Sequence, residues 1–214
     1  MSNQQFSELD RQQLEAIMRA RRDVRGNRFS DQPVPPAAIE KILEAASIAP
    51  SVGFSQPWEF VMVENKSTRQ KIVDSFNQTN NIAKQQFKDE KQALYAKLKL
   101  EGIQEAPVNI AVFYRPSKLP VLGQSSMKET GRYSVVCAIQ NMWLMARAMN
   151  IGLGWVSILD PNDVKSVLNA PEDAEFIAYL CLGYVEEFLE QPELEMVGWE
   201  ERKPLESCVL MDSY

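Results

Sequence analysis

Residues 131–150 form a helix-length stretch with almost no polar face. Tyr133, Val136, Ile139, Gln140, Trp143 and Ala146 recur at helical spacing, and Met142, Met145 and Met149 stand beside them. A helix that is apolar nearly all round has to be covered on every side, so this segment predicts a long buried central helix, inside one core or between two subunits, and hence a dimer. The rest of the chain must supply layers around it. With 214 residues and 45% hydrophobic content, the chain can bury roughly 70% of the surface that its unfolded form exposes. One domain over residues 1–214 is expected.

Ser7, Glu8, Leu9 and Asp10 read as a capping box that opens a first helix, with Leu14, Ile17 and Met18 at helical spacing. Gly26 and Asn27 end it. Prolines at 33, 35 and 36 turn the chain into a second helix, with Ile39, Ile42, Leu43 and Ala46 on one face, and Pro50 stops that helix. Runs at 58–63, 108–114, 151–158 and 175–185 have strand character, and 108–114 is apolar at every position but Asn109, as suits a central strand. Residues 67–76 predict a third helix. Residues 77–105 are rich in Lys, Gln and Glu with thinly spaced apolar positions, which suits either a half-apolar cover or a solvated excursion. Asp160 caps a short helix begun by Pro161, and residues 186–214 form a mostly irregular tail. Long helices among few strands give an α+β fold, a mixed or antiparallel sheet covered by helices.

Arg21, Arg22, Asp23, Val24 and Arg25 close the first helical segment with three guanidiniums and one carboxylate in five positions. Planar forks that stay charged at any working pH, converging from one helix end, make a clamp for a small dianion. The plain alternative is a basic helix C-terminus that offsets the macrodipole.

The net charge of −6 excludes a phosphate-backbone binder, which needs a broad basic surface, so nucleic acid is not expected as a partner. With no histidine in the chain, Ser-His-Asp and Cys-His catalysis and imidazole-bearing zinc sites are excluded, and no metal is expected. Cys137, Cys181 and Cys208 are far apart in apolar settings, which predicts buried small hydrophobes rather than disulfides. Residues 1–10 are polar without an apolar core, and no later run reaches membrane-spanning length. A reduced cytoplasm is the expected location.

Three further stretches give the arginine cluster a context: residues 49–58 (Ala-Pro-Ser-Val-Gly-Phe-Ser-Gln-Pro-Trp), residues 152–157 (Gly-Leu-Gly-Trp-Val-Ser) and Arg202, Lys203, Pro204 and Leu205. In this order they resemble the nitroreductase-type flavin proteins, over about residues 18–205. More narrowly, the Arg-Arg-Asp-Val-Arg pattern is similar to the branch of that family that consumes its flavin to make the lower ligand of vitamin B12. The resemblance implies a nitroreductase-like fold, a lid over the flavin at about 77–105 closed by residues 98–102, and reduced FMN bound as substrate with dioxygen as co-substrate. Its products would be 5,6-dimethylbenzimidazole and erythrose 4-phosphate, and a separate flavin reductase would supply the reduced FMN.

The same resemblance places Arg21, Arg22, Arg25 and Arg202 on the 5′-phosphate. Asp23 departs from the neutral donor usual in the reductases. A carboxylate facing a dianion would be repelled, so Asp23 is expected ionised, turned toward the ribityl chain as a base or hydroxyl acceptor; pairing with Arg22 or Arg25 is the simpler role. Ser51 and Gln56 can read the flavin's polar edges, and Phe54 replaces an amide common in the reductases. Gly152 and Gly154 follow a helix and enter a strand, the reverse of the dinucleotide-binding context. Gly152 suits a helix C-cap, and the resemblance puts Gly154 close to the flavin's central ring. Ser157 matches a serine near the reacting flavin edge, where it would stabilise developing charge. Two rivals stand beside this reading: an NAD(P)H-dependent nitro- or flavin reductase that recycles FMN, and a non-catalytic flavin carrier.

Overall fold

The apolar run Val108–Tyr114 forms β2, buried at every position, because helices cover it on both faces. A computed structural model describes residues 3–214, so Met1 and Ser2 of the polar N-terminal stretch lie outside the described residues. The sheet comprises β1 (Trp58–Met62), β2, β3 (Ile151–Val156) and β4 (Glu175–Tyr184) in the order β1-β2-β4-β3. All three pairings are antiparallel, so the sheet is not mixed. Among the described residues its one parallel contact is an isolated bridge between Asp23 and Leu153.

Alternation along β2 and β4 sends side chains to two cores. Ile110, Val112, Leu180 and Leu182 pack with α2 (Pro36–Ser47) and α5 (Thr130–Ala148). Ala111, Phe113, Tyr179 and Cys181 pack with Ile72 and Phe76 of α3 (Lys66–Lys84) and Val164 of α6 (Pro161–Val167). Two helical layers thus sandwich the sheet, and α1 (Glu8–Ala20) lies against α5 with no residue of its own buried. Its N-terminus carries the expected capping box of Ser7 and Asp10.

Four local expectations change, the first being that α1 ends at Ala20 with Arg21 as its cap, so the arginine segment is extended and Gly26–Arg28 form a separate short turn. The third helix continues to Lys84, since no Gly or Pro interrupts it, and Tyr95 of α4 (Asp89–Tyr95) donates its hydroxyl to Asn80 on that added length at 2.7 Å. Gly152 is a strand residue; α5 ends at Ala148 with Met149 as its cap, and Asn150 takes the left-handed turn at φ 57°. Only Cys181 is buried, whereas Cys137 and Cys208 are exposed.

The segment that constrained the fold most is buried on one side within the chain. Ser134, Val135, Ala138, Ile139, Met142 and Ala146 of α5 face the core, while Tyr133, Val136 and Cys137 are exposed. The apolar positions on the outer face are therefore uncovered by this chain alone.

Candidate functional site

The arginine segment is positioned by β3, the last strand of the sheet. Val24 N–H donates to the Leu153 carbonyl at 3.1 Å, so Asp23 and Val24 cover the free edge of that strand. Trp155 N–H in turn donates to Asp23 Oδ1 at 3.0 Å. A β-carbon on Gly154 would lie 2.1 Å from the Val24 carbonyl oxygen. The close approach that explains Gly154 is thus to the chain's own backbone.

Asp23 is bracketed. Its second oxygen pairs with Arg25, whose Nη1 also donates to the Leu100 carbonyl at 3.4 Å. Gly26 N–H donates to the Glu101 carbonyl at 2.8 Å, so the end of the 77–105 excursion is tied to this turn. Burial pushes the Asp23 carboxyl above its ordinary range, against the opposing pull of Arg25, the Trp155 N–H and Arg21. The flanking guanidiniums alone predict the opposite direction. Asp23 is thus paired with Arg25, and its burial leaves it a stronger base than a free aspartate.

The arginines are not equivalent. Arg21, Arg22, Asp23 and Arg25 line a cavity of about 160 Å³ with Leu189, Pro192, Glu193 and Leu194 of the tail. Arg21 lies 4.8 Å over the Trp143 ring. Arg22 spends its fork on backbone carbonyls, those of Arg19 and Arg21 and, in the tail, Leu189 at 2.9 Å and Glu190. It is a strut rather than a free donor. Burial depresses the pKa of Arg22, and the like charges of Arg21, Arg147 and Arg202 depress it further, a concentration of positive charge that an anion would relieve. Arg202 is exposed and opens on a neighbouring cleft of about 650 Å³ that shares Arg21, Arg22 and Pro192 with the small cavity.

Ser157 follows β3, exposed, two residues beyond Trp155. Ser51 and Gln56 are not brought to this place. Ser51 Oγ accepts from Gln56 N–H at 3.0 Å within a turn in which Gly53, Phe54 and Gln56 all have positive φ. Val52 N–H from that turn donates to Ser134 near the start of α5. The arginine segment instead meets the end of α5, where Trp143 donates to the Arg22 carbonyl and Arg147 to that of Ala20, each at 3.0 Å. At about 1.5 Å per helical residue, the two groups are roughly 14–20 Å apart along α5.

Sequence reasoning missed Trp143, Arg147 and Glu193 as parts of this site. Arg147 carried a signal, being a cation near the end of an otherwise apolar helix, and it also lies over the Phe188 ring at 4.0 Å. As an FMN site the arrangement fits at one end. The guanidiniums suit a phosphate dianion, and 160 Å³ admits a phosphate but falls below the roughly 300–1,000 Å³ of a pocket for a whole drug-sized ligand. The described residues contain no cluster of three His, Cys, Asp or Glu able to hold a metal, and no described helix is long and apolar enough to cross a membrane.

Residues 18–184 match the profile of the nitroreductase family. A 5,6-dimethylbenzimidazole synthase from Rhodospirillum rubrum is 46% identical over 193 residues, covering 89% of this chain and 90% of that protein. Another from Rhodobacter capsulatus is 39% identical, covering 94% and 97%. Among solved structures, oxidised iodotyrosine deiodinase bound to FMN and 3-iodo-L-tyrosine superposes with a TM-score of 0.73 at 20% identity, over 94% of this chain and 99% of that one, a likeness of fold.

Proposed function

Because the chain belongs to the nitroreductase family, we propose that it uses the family's flavin site destructively, converting reduced FMN and dioxygen to 5,6-dimethylbenzimidazole, the lower ligand of vitamin B12, and erythrose 4-phosphate, with the pyrimidine part of the ring leaving as a third fragment. The observation that carries this reading is Asp23, a carboxylate held by Trp155 N–H and Arg25 on the wall of an arginine-lined cavity. A reductase that only recycles FMN has no evident use for a buried acid beside the phosphate; an enzyme that must remove protons from the ribityl arm does. The 46% identity to a 5,6-dimethylbenzimidazole synthase supports the same choice.

In this reading Arg21, Arg25 and Arg202 hold the 5′-phosphate, and Arg22 holds the tail that closes the cavity. Asp23 accepts a proton or hydroxyl from the ribityl chain, Gly154 keeps the Asp23 backbone against β3, and Ser157 donates to charge developing on the ring. Reduced flavin itself supplies the electrons that activate oxygen, so no metal takes part. The residues at 98–102 close over the site and exclude water.

The protein acts as a homodimer. Ser51 and Gln56 of a second copy complete the flavin site that one chain leaves partial, and the outer face of α5 with Tyr133 and Val136 is part of the contact. A separate flavin reductase in the cytoplasm supplies reduced FMN. The test is to aerate reduced FMN with the protein and with Asp23→Ala and to follow the products by chromatography. A new benzimidazole from the wild type alone supports the reading. Rapid NAD(P)H oxidation without it favours the reductase, and simple reoxidation to FMN favours the carrier.

A further inference from the structure

Arg28 is an arginine of this region that the clamp described above does not use. It follows Arg25 by three residues, in the short turn Gly26–Arg28 that the Asp23 segment leads into. Among the described residues its buried Nε has no hydrogen-bond partner, and its one ion pair, from Nη2 to Glu193 Oε1, is long at 3.4 Å. A guanidinium half satisfied in this way retains donor capacity for a better acceptor, because a buried unpaired donor carries its full desolvation cost. Arg22, by contrast, has its fork filled by carbonyl oxygens.

Glu193 is the other half of the pair. It lines the 160 Å³ cavity together with Asp23 and starts the short helix α7 (Glu193–Met196) in the tail. Arg28 does not itself line that cavity and is reached through Glu193. The tail around it is held at other places as well, among them the Phe188 ring under Arg147. Arg22 grips the Leu189 and Glu190 carbonyls, and Trp199 sits edge-on to Phe87 at 4.9 Å and near Tyr95 at 6.1 Å, on the α4 excursion. The carboxylate is thus the one charged tail group on the cavity wall, on a segment that spans from the arginines to the cover.

Resting on the phosphate-clamp reading above, we propose that Glu193 is a placeholder anion for Arg28: a phosphorylated ligand displaces the carboxylate and takes Arg28 as an additional phosphate arm. One carboxylate carries a single charge and makes one long contact, whereas a phosphate dianion offers three acceptor oxygens to several forks at once. The exchange favours a phosphorylated flavin over its phosphate-free counterpart, so Arg28 and Glu193 together determine specificity.

The measurement is flavin fluorescence titration of the full-length protein with oxidised FMN, using riboflavin as the phosphate-free control. Arg28→Gln should weaken FMN binding roughly ten- to a hundredfold, as expected for losing a hydrogen bond to a charged group, and leave riboflavin unchanged. Arg28→Lys keeps the charge but not the fork and should recover only part. Glu193→Gln should tighten FMN binding several-fold, with no such gain in the Arg28→Gln background. The inference is overturned if Arg28→Gln leaves FMN affinity unchanged or if Glu193→Gln weakens it. Arg21→Ala separates the two levels. If it loses FMN while the Arg28 and Glu193 variants do not move, the placeholder falls and the clamp stands; if it too binds normally, both fall.

Discussion

The carbonyl oxygen of Val24 lies 2.1 Å from where a β-carbon on Gly154 would stand. Neither partner is a flexible side-chain end: one is backbone on the sheet's last strand, the other backbone of the segment that carries Asp23. Gly154→Ala must therefore push the two apart and break the Val24 to Leu153 bond and the Trp155 to Asp23 bond. The expected cost is about 1–3 kcal/mol of stability, read as a lowered melting temperature. Benzimidazole formation should fall further than the residual fold content does. A variant with wild-type activity would show that Asp23 does not depend on this approach.

Asp23→Asn is expected to retain FMN binding and lose product. It should also change how stability depends on pH. The folded-state carboxyl is raised above its ordinary 3.8, mainly by burial, so the folded chain holds that proton more tightly than the unfolded chain does. Below 3.8 both states are protonated and no penalty applies. As pH rises from there through the raised folded value, the wild type loses stability, and above that value the loss is complete. Asn cannot ionise, so melting temperatures across pH 4–8 should move in favour of Asp23→Asn as pH increases. A shift the other way would mean that Arg25 outweighs burial.

Trp143→Phe keeps an aromatic ring beneath Arg21 but removes the donor to the Arg22 carbonyl. Losing one such bond costs about 1 kcal/mol, with the carbonyl left unpaired. FMN affinity should drop modestly in fluorescence titration, and Trp143→Leu, which also removes the ring under the guanidinium, should drop it more. Equal affinities for the two would remove the ring from the argument.

If Ser51 and Gln56 serve the site of a second copy, then subunits carrying Asp23→Asn and subunits carrying Gln56→Ala, each impaired alone, should regain activity when dissociated and mixed, since a hybrid dimer holds one intact site. Val136→Glu on the outer face of α5 should yield monomers by light scattering and weaken FMN binding. In the same experiment Cys137, exposed on one chain, should be shielded from a thiol reagent in the wild type and react in the monomer, while Cys208 reacts in both. Failure of the mixed subunits to recover would place residues 51–56 outside the site.

Much of the architecture was written along the chain because local chemistry has a fixed period. The largely apolar run at 108–114 reads as an inner strand, and Asp160 followed by Pro161 as a helix start; both appear as expected. The arginine cluster was equally legible, since three guanidiniums so close together concentrate charge whatever surrounds them. What periodicity could not supply was which face of α5 meets its own core. The same apolar pattern serves a buried face and an uncovered one, and only the packing of α2 and the sheet tells them apart.

By itself the sequence determined most of the strands and long helices, the cluster of guanidiniums and the acid within it. The tertiary structure decided which arginine is free and which is spent. Arg21, Arg22, Arg25 and Arg28 look alike in sequence, yet Arg22 is filled by tail carbonyls 167 and 168 positions away, and Arg28 is left half satisfied against Glu193. It also reversed the direction of the shift at Asp23. Neighbouring charges can be counted from sequence, but desolvation depends on what the fold packs over the group, and here the larger effect belongs to burial.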